Sequence, residues 1–430
     1  MDTSYLEVDY PISFRQEDAK NLGGHLRLRH SVELVGMKRV GISNFLRFFL
    51  NHPKIVETYI NRAETHLFIP VDLNDLVEIE IFPFWILTFK RLVDKVGASD
   101  KLMEKTKKEI SVLFLDAIQS QDLFLAVDGL RKALILICEN GVLPTLFYLR
   151  FDRIGPVINE EFFANLVGLR DATAERLAYV FTSFRTLEQI APKVFERKLL
   201  SEFSHPMYIK PANAVDASVI FERLAKKYGL ASGTLEERIL ELCGGHVQYL
   251  QLASIVLNHK KVAVSELTGI LEADERIRYL GDEIWESLAE VEQKVLVEVH
   301  KGQRVSESER ETAKYLWETG MLLDNHKSHI FGKLFEAALS KRGSGANGNG
   351  EEKVEFTKKE HALYNFLLSH KDEVCERERI IEAVWSEVED LGVSDWTIDR
   401  LVARLRTKLK KQGSQYQVVT VKTRGYKLIQ

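Results

Sequence analysis

A basic amphipathic helix that leads into a basic hairpin, within residues 394–430, is the feature that most constrains this chain. Apolar residues recur at helical spacing in the segment TIDRLVARLRTKLKK and predict one buried face: Ile398, Leu401, Val402, Leu405 and Leu409. The following segment, QYQVVTVKTRGYKLIQ, alternates through Val419, Val421 and Thr423 and then returns at Arg424-Gly425-Tyr426. A helix with basic outer side chains fits the major groove, and a basic hairpin beside it reaches phosphates or the minor groove. The pattern predicts contact with double-stranded DNA.

The distribution of charge agrees with this prediction. The chain has a formal net charge of −4, yet residues 394–430 are strongly basic. Their acidic residues are only Asp395 and Asp399, whereas their basic residues are Arg400, Arg404, Arg406, Lys408, Lys410, Lys411, Lys422, Arg424 and Lys427. A polyanion would dock where positive charge is concentrated. The alternative is a solvated basic helix end favoured by the helix dipole, but it does not explain why the hairpin carries the same sign.

Several motifs follow one another between residues 355 and 430. They are Phe356-Thr357 with Lys359-Glu360, then Cys375 to Trp385, then Thr397-Ile398-Asp399 with Arg404-Leu405-Arg406, and finally Thr420 to Tyr426. Their order resembles the OmpR/PhoB-type winged helix, the effector domain of many bacterial response regulators. The resemblance implies a recognition helix and a wing, whose expected DNA contacts are Thr397, Arg400, Arg404, Thr407, Lys408, Lys411, Lys422, Thr423, Arg424 and Tyr426.

A second motif lies at residues 31–45, SVELVGMKRVGISNF, which read as a strand, a loop and a helix. The pattern GxxxxGK[ST] wraps a phosphate in backbone amides, and its lysine bridges the phosphates. Gly36, Gly41 and Ser43 occupy their places, but Ile42 stands at the lysine position. An isoleucine cannot neutralise a terminal phosphate, so the loop is predicted to be degenerate as a catalytic device.

Further strands follow at His66 to Leu73, Thr145 to Asp152 and Ala178 to Ser183, and the glycine pair Gly244-Gly245 comes later. With the loop they resemble a P-loop ATPase of the AAA+ and STAND type. The resemblance implies that Asp152 would hold magnesium, while Arg153 stands where a catalytic glutamate is usual. The candidate nucleotide-binding residues are Gly36, Lys38, Arg39, Gly41, Ser43, Asn44 and Asp152; ATP and ADP are the candidate ligands.

Alternative interpretations of these residues stay open. The strands are equally consistent with ordinary buried parallel strands, and Asp152 with an ion pair to Arg150 or Arg153. His246 is predicted to start a helix or pack, rather than to bind a ligand. Residues 285–341 alternate between helices and a hairpin and resemble a second winged helix. Beyond the nucleotide fold no catalytic residue and no metal site is predicted, because the chain has no HExxH or GxSxG motif and its histidines are scattered.

Composition and linkers complete the expected organisation. At 430 residues and 45% hydrophobic content the chain can bury several cores. Cys138, Cys243 and Cys375 are isolated, which suits a reducing cytosol, and the longest apolar run is too short to span a bilayer. The predicted fold is multidomain α/β plus winged helix. Its parts are a P-loop NTPase-like parallel sheet (1–200), a helical lid (201–275), a middle winged helix (276–341), a flexible linker (342–352) and the C-terminal winged helix (353–430).

These patterns predict a cytoplasmic DNA-binding transcriptional regulator. Its AAA+/STAND-like body would sense an unidentified ligand or partner protein, or assemble homo-oligomers, without efficient ATP hydrolysis. Two alternatives remain. One is an active ATPase or replication-initiator-like machine in which Lys38 or Arg39 replaces the missing lysine. The other is a scaffold whose winged helices bind protein.

Overall fold

A computed structural model of the chain describes residues 6–61, 63–195, 203–230, 233–258, 262–325, 327–343, 356, 358–384, 395–421 and 424–430. The chain divides into two compact units. The first comprises 1–268 and 283–337, and the second comprises 269–282 and 338–430. The predicted linker lies outside the described residues from position 344 onward. None of the helices in the described ranges has both the length and the apolar character needed to cross a membrane.

A parallel sheet forms the centre of the first unit. Its strands are β1 (Val32–Val35), β2 (Thr65–Asp72), β3 (Val142–Leu149), β4 (Ala178–Ser183) and β5 (His205–Tyr208), in the spatial order β2-β3-β4-β1-β5. Every residue of β1 is buried, as expected for a parallel strand covered on both faces. The strands predicted from the sequence are confirmed. However, β3 ends at Leu149, so Asp152 lies in the following 3-10 turn, Phe151–Val157, and not on the strand.

Helices cover the sheet and bury an aromatic core. They are α1 (Gln16–Arg27), α2 (Ile42–Asn51), α3 (Ile81–Gly97), α4 (Glu104–Ser120), α5 (Leu123–Glu139), α6 (Glu160–Ala172), α7 (Leu187–Ile190) and α8 (Pro192–Phe195). Phe84 of α3 packs its ring 5.0 Å from that of Tyr148 on β3 and 4.9 Å from that of Phe162 on α6. These fully buried rings hold the helices against the sheet and so fix the positions of the loops that follow its strands.

Four helices follow the sheet: α9 (Ala214–Tyr228), α10 (Thr234–Cys243), α11 (Val247–Val256) and α12 (Leu267–Ala273). The glycine pair separates α10 from α11, and both glycines have positive φ, +56° and +74°. A Cβ on Gly245 would lie 1.9 Å from the carbonyl oxygen of Ala212, so the close approach requires glycine. The side chain of His246 then caps α11 by accepting from the amide of Tyr249, which confirms the predicted helix start.

The elements from Glu275 to Gly343 have the order predicted for the middle winged helix, in which helices precede a hairpin and a last helix follows it. The elements are α13 (Glu275–Glu286), α14 (Glu290–His300), α15 (Glu307–Thr312), α16 (Tyr315–Glu318), β6 (Leu322–Asn325), β7 (Lys327–Ile330) and α17 (Lys333–Gly343). The hairpin β6–β7 is antiparallel. The unit boundaries fall within α13 and α17, since residues 275–282 and 338–343 belong to the second unit.

The second unit contains α18 (Lys358–Ser369), α19 (Arg377–Val384), α20 (Asp395–Lys411), β8 (Gln417–Val421) and β9 (Gly425–Ile429). Every residue of the predicted apolar face of α20 is buried: Ile398, Leu401, Val402, Leu405 and Leu409. The hairpin pairs Val418 with Leu428, and both are buried. The alternating residues Val419 and Val421 are partly buried, and Val418 between Gln417 and Val419 faces the core.

Candidate nucleotide loop and nucleic-acid interface

The loop between β1 and α2 has the path of a phosphate-binding loop but is packed on its inner side. Gly41 precedes α2 with φ +124°. A Cβ on Gly36 would lie 3.3 Å from Cδ1 of Ile42, so the isoleucine at the lysine position points back towards the start of the loop. An apolar methyl group therefore occupies the side of the loop from which a lysine would neutralise phosphate charge.

The helical segment after the glycine pair holds this loop directly. Nε2 of His246 lies 2.9 Å from the carbonyl oxygen of Lys38, and the amide of Val247 donates to the carbonyl of Val40 at 3.4 Å. Burial lowers the pKa of His246 to about 4, so the ring is neutral near pH 7. Because Nδ1 accepts from Tyr249, Nε2 carries the proton and donates to Lys38. A Cβ on Gly41 would lie only 2.4 Å from Cγ2 of Val247, so the helix and the loop are in close contact.

Two predicted residues, Lys38 after β1 and Asp152 after β3, influence each other electrostatically. Burial raises the pKa of Asp152, and the charge of Lys38 opposes the shift, so the two groups interact. Nζ of Lys38 also lies 3.7 Å from the ring centroid of Phe184, which follows β4. The neighbours of Asp152 are engaged elsewhere, since Arg150 pairs with Asp72 and Arg153 donates to Asn74 at 2.9 Å.

Other predicted nucleotide residues point away from this group. The buried amide of Asn44 donates to Glu7 at 3.0 Å and to the hydroxyl of Tyr10 at 3.3 Å, so it joins the N-terminal segment to α2. Nε of Arg39 lies 3.5 Å from Oε1 of Glu283, and Ser43 is exposed. Of the predicted nucleotide residues, Lys38 and Asp152 therefore interact electrostatically, whereas Asn44 is bonded to the N-terminal segment.

The end of β4 is linked to the middle winged helix by a contact that sequence reasoning missed. Arg185 forms a two-pronged ion pair with Glu292 of α14, each N to O distance being 2.7 Å. The side chains are only 14% and 5% exposed, and the guanidinium also lies 4.0 Å from the ring centroid of Tyr315. Such geometry joins two charges that would be costly to bury singly. Nothing in the sequence near Arg185 indicated its partner, because the two residues are far apart in the chain.

In the second unit, α20 turns basic side chains away from its buried face. Arg404 donates to Asp282 of α13 at 2.5 Å and to Glu360 of α18 at 3.1 Å, and it lies 4.7 Å from the ring centroid of Tyr279. Lys408 pairs with the same Glu360 at 2.6 Å, and the Glu360 side chain is fully buried. Two of the residues predicted to contact DNA are therefore held by carboxylates.

The remaining predicted DNA residues differ in their surroundings. Thr407 and Arg424 are exposed, whereas Tyr426 is buried and its hydroxyl donates to Asp399. We therefore regard Tyr426 as a residue that supports the hairpin. Some predictions lie outside the described residues: Lys422 and Thr423 entirely, and Thr397, Arg400 and Lys411 in their side chains. Sequence reasoning missed the bracing role of Arg406, which donates to the carbonyl of Val418 at 2.6 Å and joins α20 to the hairpin.

Comparison with known proteins supports this division of the chain. Residues 350–428 match the family described as "Transcriptional regulatory protein, C terminal". Over 78 residues, or 18% of this chain, the sequence is 33% identical to the transcriptional regulatory protein YxdJ of Bacillus subtilis. Over the same length it is 35% identical to the phosphate regulon transcriptional regulatory protein PhoB of Escherichia coli. The chain spans about a third of the length of these curated relatives, 33% in each case.

A solved structure is similar to most of the chain. A Walker-type ATPase of Pyrococcus abyssi is similar to 76% of this chain, with 95% of that ATPase chain covered, a TM-score of 0.51 and 16% sequence identity. At that identity the similarity concerns the fold, which is P-loop NTPase-like, as the strand order and the position of the loop after β1 also indicate. The chain therefore joins a body of P-loop NTPase-like fold to a C-terminal domain of the OmpR/PhoB type.

Proposed function

We propose that this chain is a sequence-specific DNA-binding transcriptional regulator. The observation that carries the proposal is the second unit, in which α20 buries a continuous apolar face and the exposed wing residue Arg424 follows β8. A helix anchored in this way can enter a major groove while the hairpin contacts the backbone. The match to the transcriptional regulatory family over 350–428 supports the same assignment.

We further propose that the body senses a signal or mediates assembly, and that it hydrolyses ATP poorly. Ile42 occupies the lysine position and Arg153 donates to Asn74 where a catalytic glutamate is expected. Binding of paired half-sites by a tethered domain becomes tighter when the body dimerises, because the second contact is then intramolecular. A signal that controls assembly would thereby control occupancy of DNA.

Selection from a randomised duplex pool, followed by fluorescence anisotropy across a salt series, tests the DNA proposal. The full chain should enrich one motif, and its affinity should fall with salt by a slope of about 0.9 per phosphate contact. The double variant Arg400→Ala with Arg424→Ala should lose more than about tenfold in affinity, since each charged contact contributes about 1–3 kcal/mol.

The matched control is Lys108→Ala, which removes a positive charge from the exposed surface of α4 in the body. It should bind the selected duplex as the wild type does. Enrichment of no motif, or equal losses in the control and the double variant, would contradict the proposal and favour a protein-binding scaffold.

One observation favours the second candidate, an active ATPase. Lys38 interacts with Asp152 and so places a cation near the predicted magnesium ligand. Magnesium-dependent ATP turnover that is abolished by both Lys38→Ala and Asp152→Ala would establish it. Turnover at the level of a protein-free blank would support a body that does not hydrolyse ATP.

A further inference from the structure

Three histidines from separate elements converge at the amino-terminal ends of the strands of the parallel sheet. His25 lies in the last turn of α1, His30 lies between α1 and β1, and His205 is the first residue of β5. Each offers a ring nitrogen, and these atoms all lie within 4.8 Å of one another. The cluster lies where the strands begin, whereas the loop at Gly36 lies where they end, because His30 precedes β1 and Gly36 follows it.

Backbone hydrogen bonds position the three residues. The amide of His30 donates to the carbonyl of His25 at 3.0 Å, which closes the turn after α1. The amide of His205 donates to the carbonyl of Ser31 at 2.9 Å, and β5 pairs His205 with Val32 of β1. The convergence is therefore built into the sheet pairing and the helix end, and not into long flexible side chains.

The three imidazole rings lie side by side, and those of His25 and His205 are stacked at an interplanar angle of 25°. The centroid of the His205 ring lies 5.0 Å from that of His25 and 4.9 Å from that of His30, while His25 and His30 are 5.8 Å apart. Tetrahedral zinc with bonds of about 2.0–2.1 Å to nitrogen separates its ligand atoms by about 3.4 Å, so ring rotations that move each nitrogen by about 1 Å would complete the site.

Within the described ranges, no side chain or backbone group hydrogen-bonds to the ring nitrogens of these histidines. Burial lowers the pKa of His25 and of His30, and the neighbouring imidazoles add to the effect. For His30 the charge of Arg170 acts in the same direction.

We propose that His25, His30 and His205 form a binding site for Zn²⁺, with its fourth position open to water. Imidazole nitrogen suits zinc and its neighbours in the first transition series, whereas magnesium and calcium prefer oxygen ligands. His25 and His30 are half-buried and His205 is exposed, so an ion can enter from solvent. The bound ion would tie α1 to the start of β1 and β5. This inference is independent of the DNA-binding proposal.

Isothermal titration of the full, metal-stripped chain with ZnCl₂ tests the site. We expect binding of one Zn²⁺ per chain, reversed by EDTA. His205→Ala and His25→Ala should each weaken it by more than about tenfold, since loss of even a supporting partner of a metal ligand costs 10–100-fold. His205 is exposed, so its replacement leaves the core unchanged. The control is His361→Ala, an exposed histidine of α18, which should bind as the wild type does.

Cobalt substitution provides a second readout that does not depend on affinity. Co²⁺ at three imidazoles and water should give visible d–d bands without a thiolate charge-transfer band, and His205→Ala should remove them. Unchanged zinc affinity in His205→Ala would overturn the proposal. So would a thiolate band, which would assign the ion to a cysteine such as Cys138, Cys243 or Cys375.

Discussion

Release of Arg404 from Asp282 should strengthen DNA binding. Both residues belong to the second unit, and their side chains are each 21% exposed, with N and O separated by 2.5 Å. An Arg404 that contacts DNA must give up this pair first, so Asp282 competes with the phosphate. Asp282→Asn keeps the shape of the side chain and removes the charge.

The structure sets the size of the effect. Hydrogen bonds to charged groups contribute about 1.5–3 kcal/mol when protected, and exposed ion pairs contribute about 0.2–1 kcal/mol. A pair that is mostly buried but keeps some solvent access lies between these ranges, at about 1 kcal/mol. Since 1.4 kcal/mol corresponds to tenfold, the DNA affinity of Asp282→Asn should rise about fivefold at low salt. Glu360 still pairs with Arg404 in this variant, so the gain is only part of what full release would give.

Anisotropy with the selected duplex across a salt series measures the change. The salt slope should stay the same, because Arg404 makes the same phosphate contact in both proteins once it has left Asp282. The control is Glu275→Gln, which removes the same charge from the same helix. The carboxylate of Glu275 pairs with Lys359 at 2.9 Å and not with Arg404. An unchanged or weakened affinity in Asp282→Asn would refute the reasoning. An equal gain in both variants would show that only the overall charge matters.

Three further predictions concern the stability of the body, each checked by chemical denaturation. Gly41→Ala should destabilise it by about 1–3 kcal/mol, because φ is +124° and a Cβ would lie 2.4 Å from an α11 side chain. The control Gly24→Ala, whose Cβ meets nothing within 4 Å, should be neutral or stabilising. Arg185→Ala should cost about 3–5 kcal/mol by leaving Glu292 buried and unpaired, and a double variant lacking both charges should lose less than the two single losses combined. Burial lowers the pKa of His246 to about 4 in the folded state. Between pH ~6.5 and 4 the imidazole is therefore protonated in the unfolded chain but neutral in the folded one. The free energy of unfolding is highest above pH ~6.5 and falls by about 3 kcal/mol as the pH decreases towards 4. His246→Gln should flatten that part of the pH profile; an unaltered profile would contradict the assignment.

The sequence predicted the elements that carry a periodic signal. The apolar face of α20 was fully predicted because each of its residues follows the helical period, and β1 was predicted because it is a continuous buried run. The strand predicted at Thr145 to Asp152 was displaced by about three residues from β3, Val142–Leu149, since the 3-10 turn after Leu149 leaves no mark on the hydrophobic pattern.

The candidate sites were less predictable because they depend on contacts between distant segments. The carboxylates that hold Arg404 come from α13 and α18, and the three histidines come together through the pairing of β1 with β5. Neither grouping has a local spacing in the sequence. The sequence motifs therefore predicted a basic DNA-binding helix without the carboxylates that pair with it, and the histidines were described as scattered. The loop at Gly36 was recognisable because its glycines are local, yet the packing of Val247 against it was not.

The surroundings of the loop suggest how the body could transmit a signal even without hydrolysis. Lys38 packs on Phe184, and the next residue, Arg185, is locked to Glu292 of α14. A ligand phosphate that attracted Lys38 would separate it from the Phe184 ring. The segment after β4 could then move only if the buried ion pair between Arg185 and Glu292 were broken. The cost of disrupting that pair therefore sets how strongly the loop and the middle winged helix depend on each other. The Arg185 and Glu292 variants measure this cost, and coupling through α14 requires that it be large.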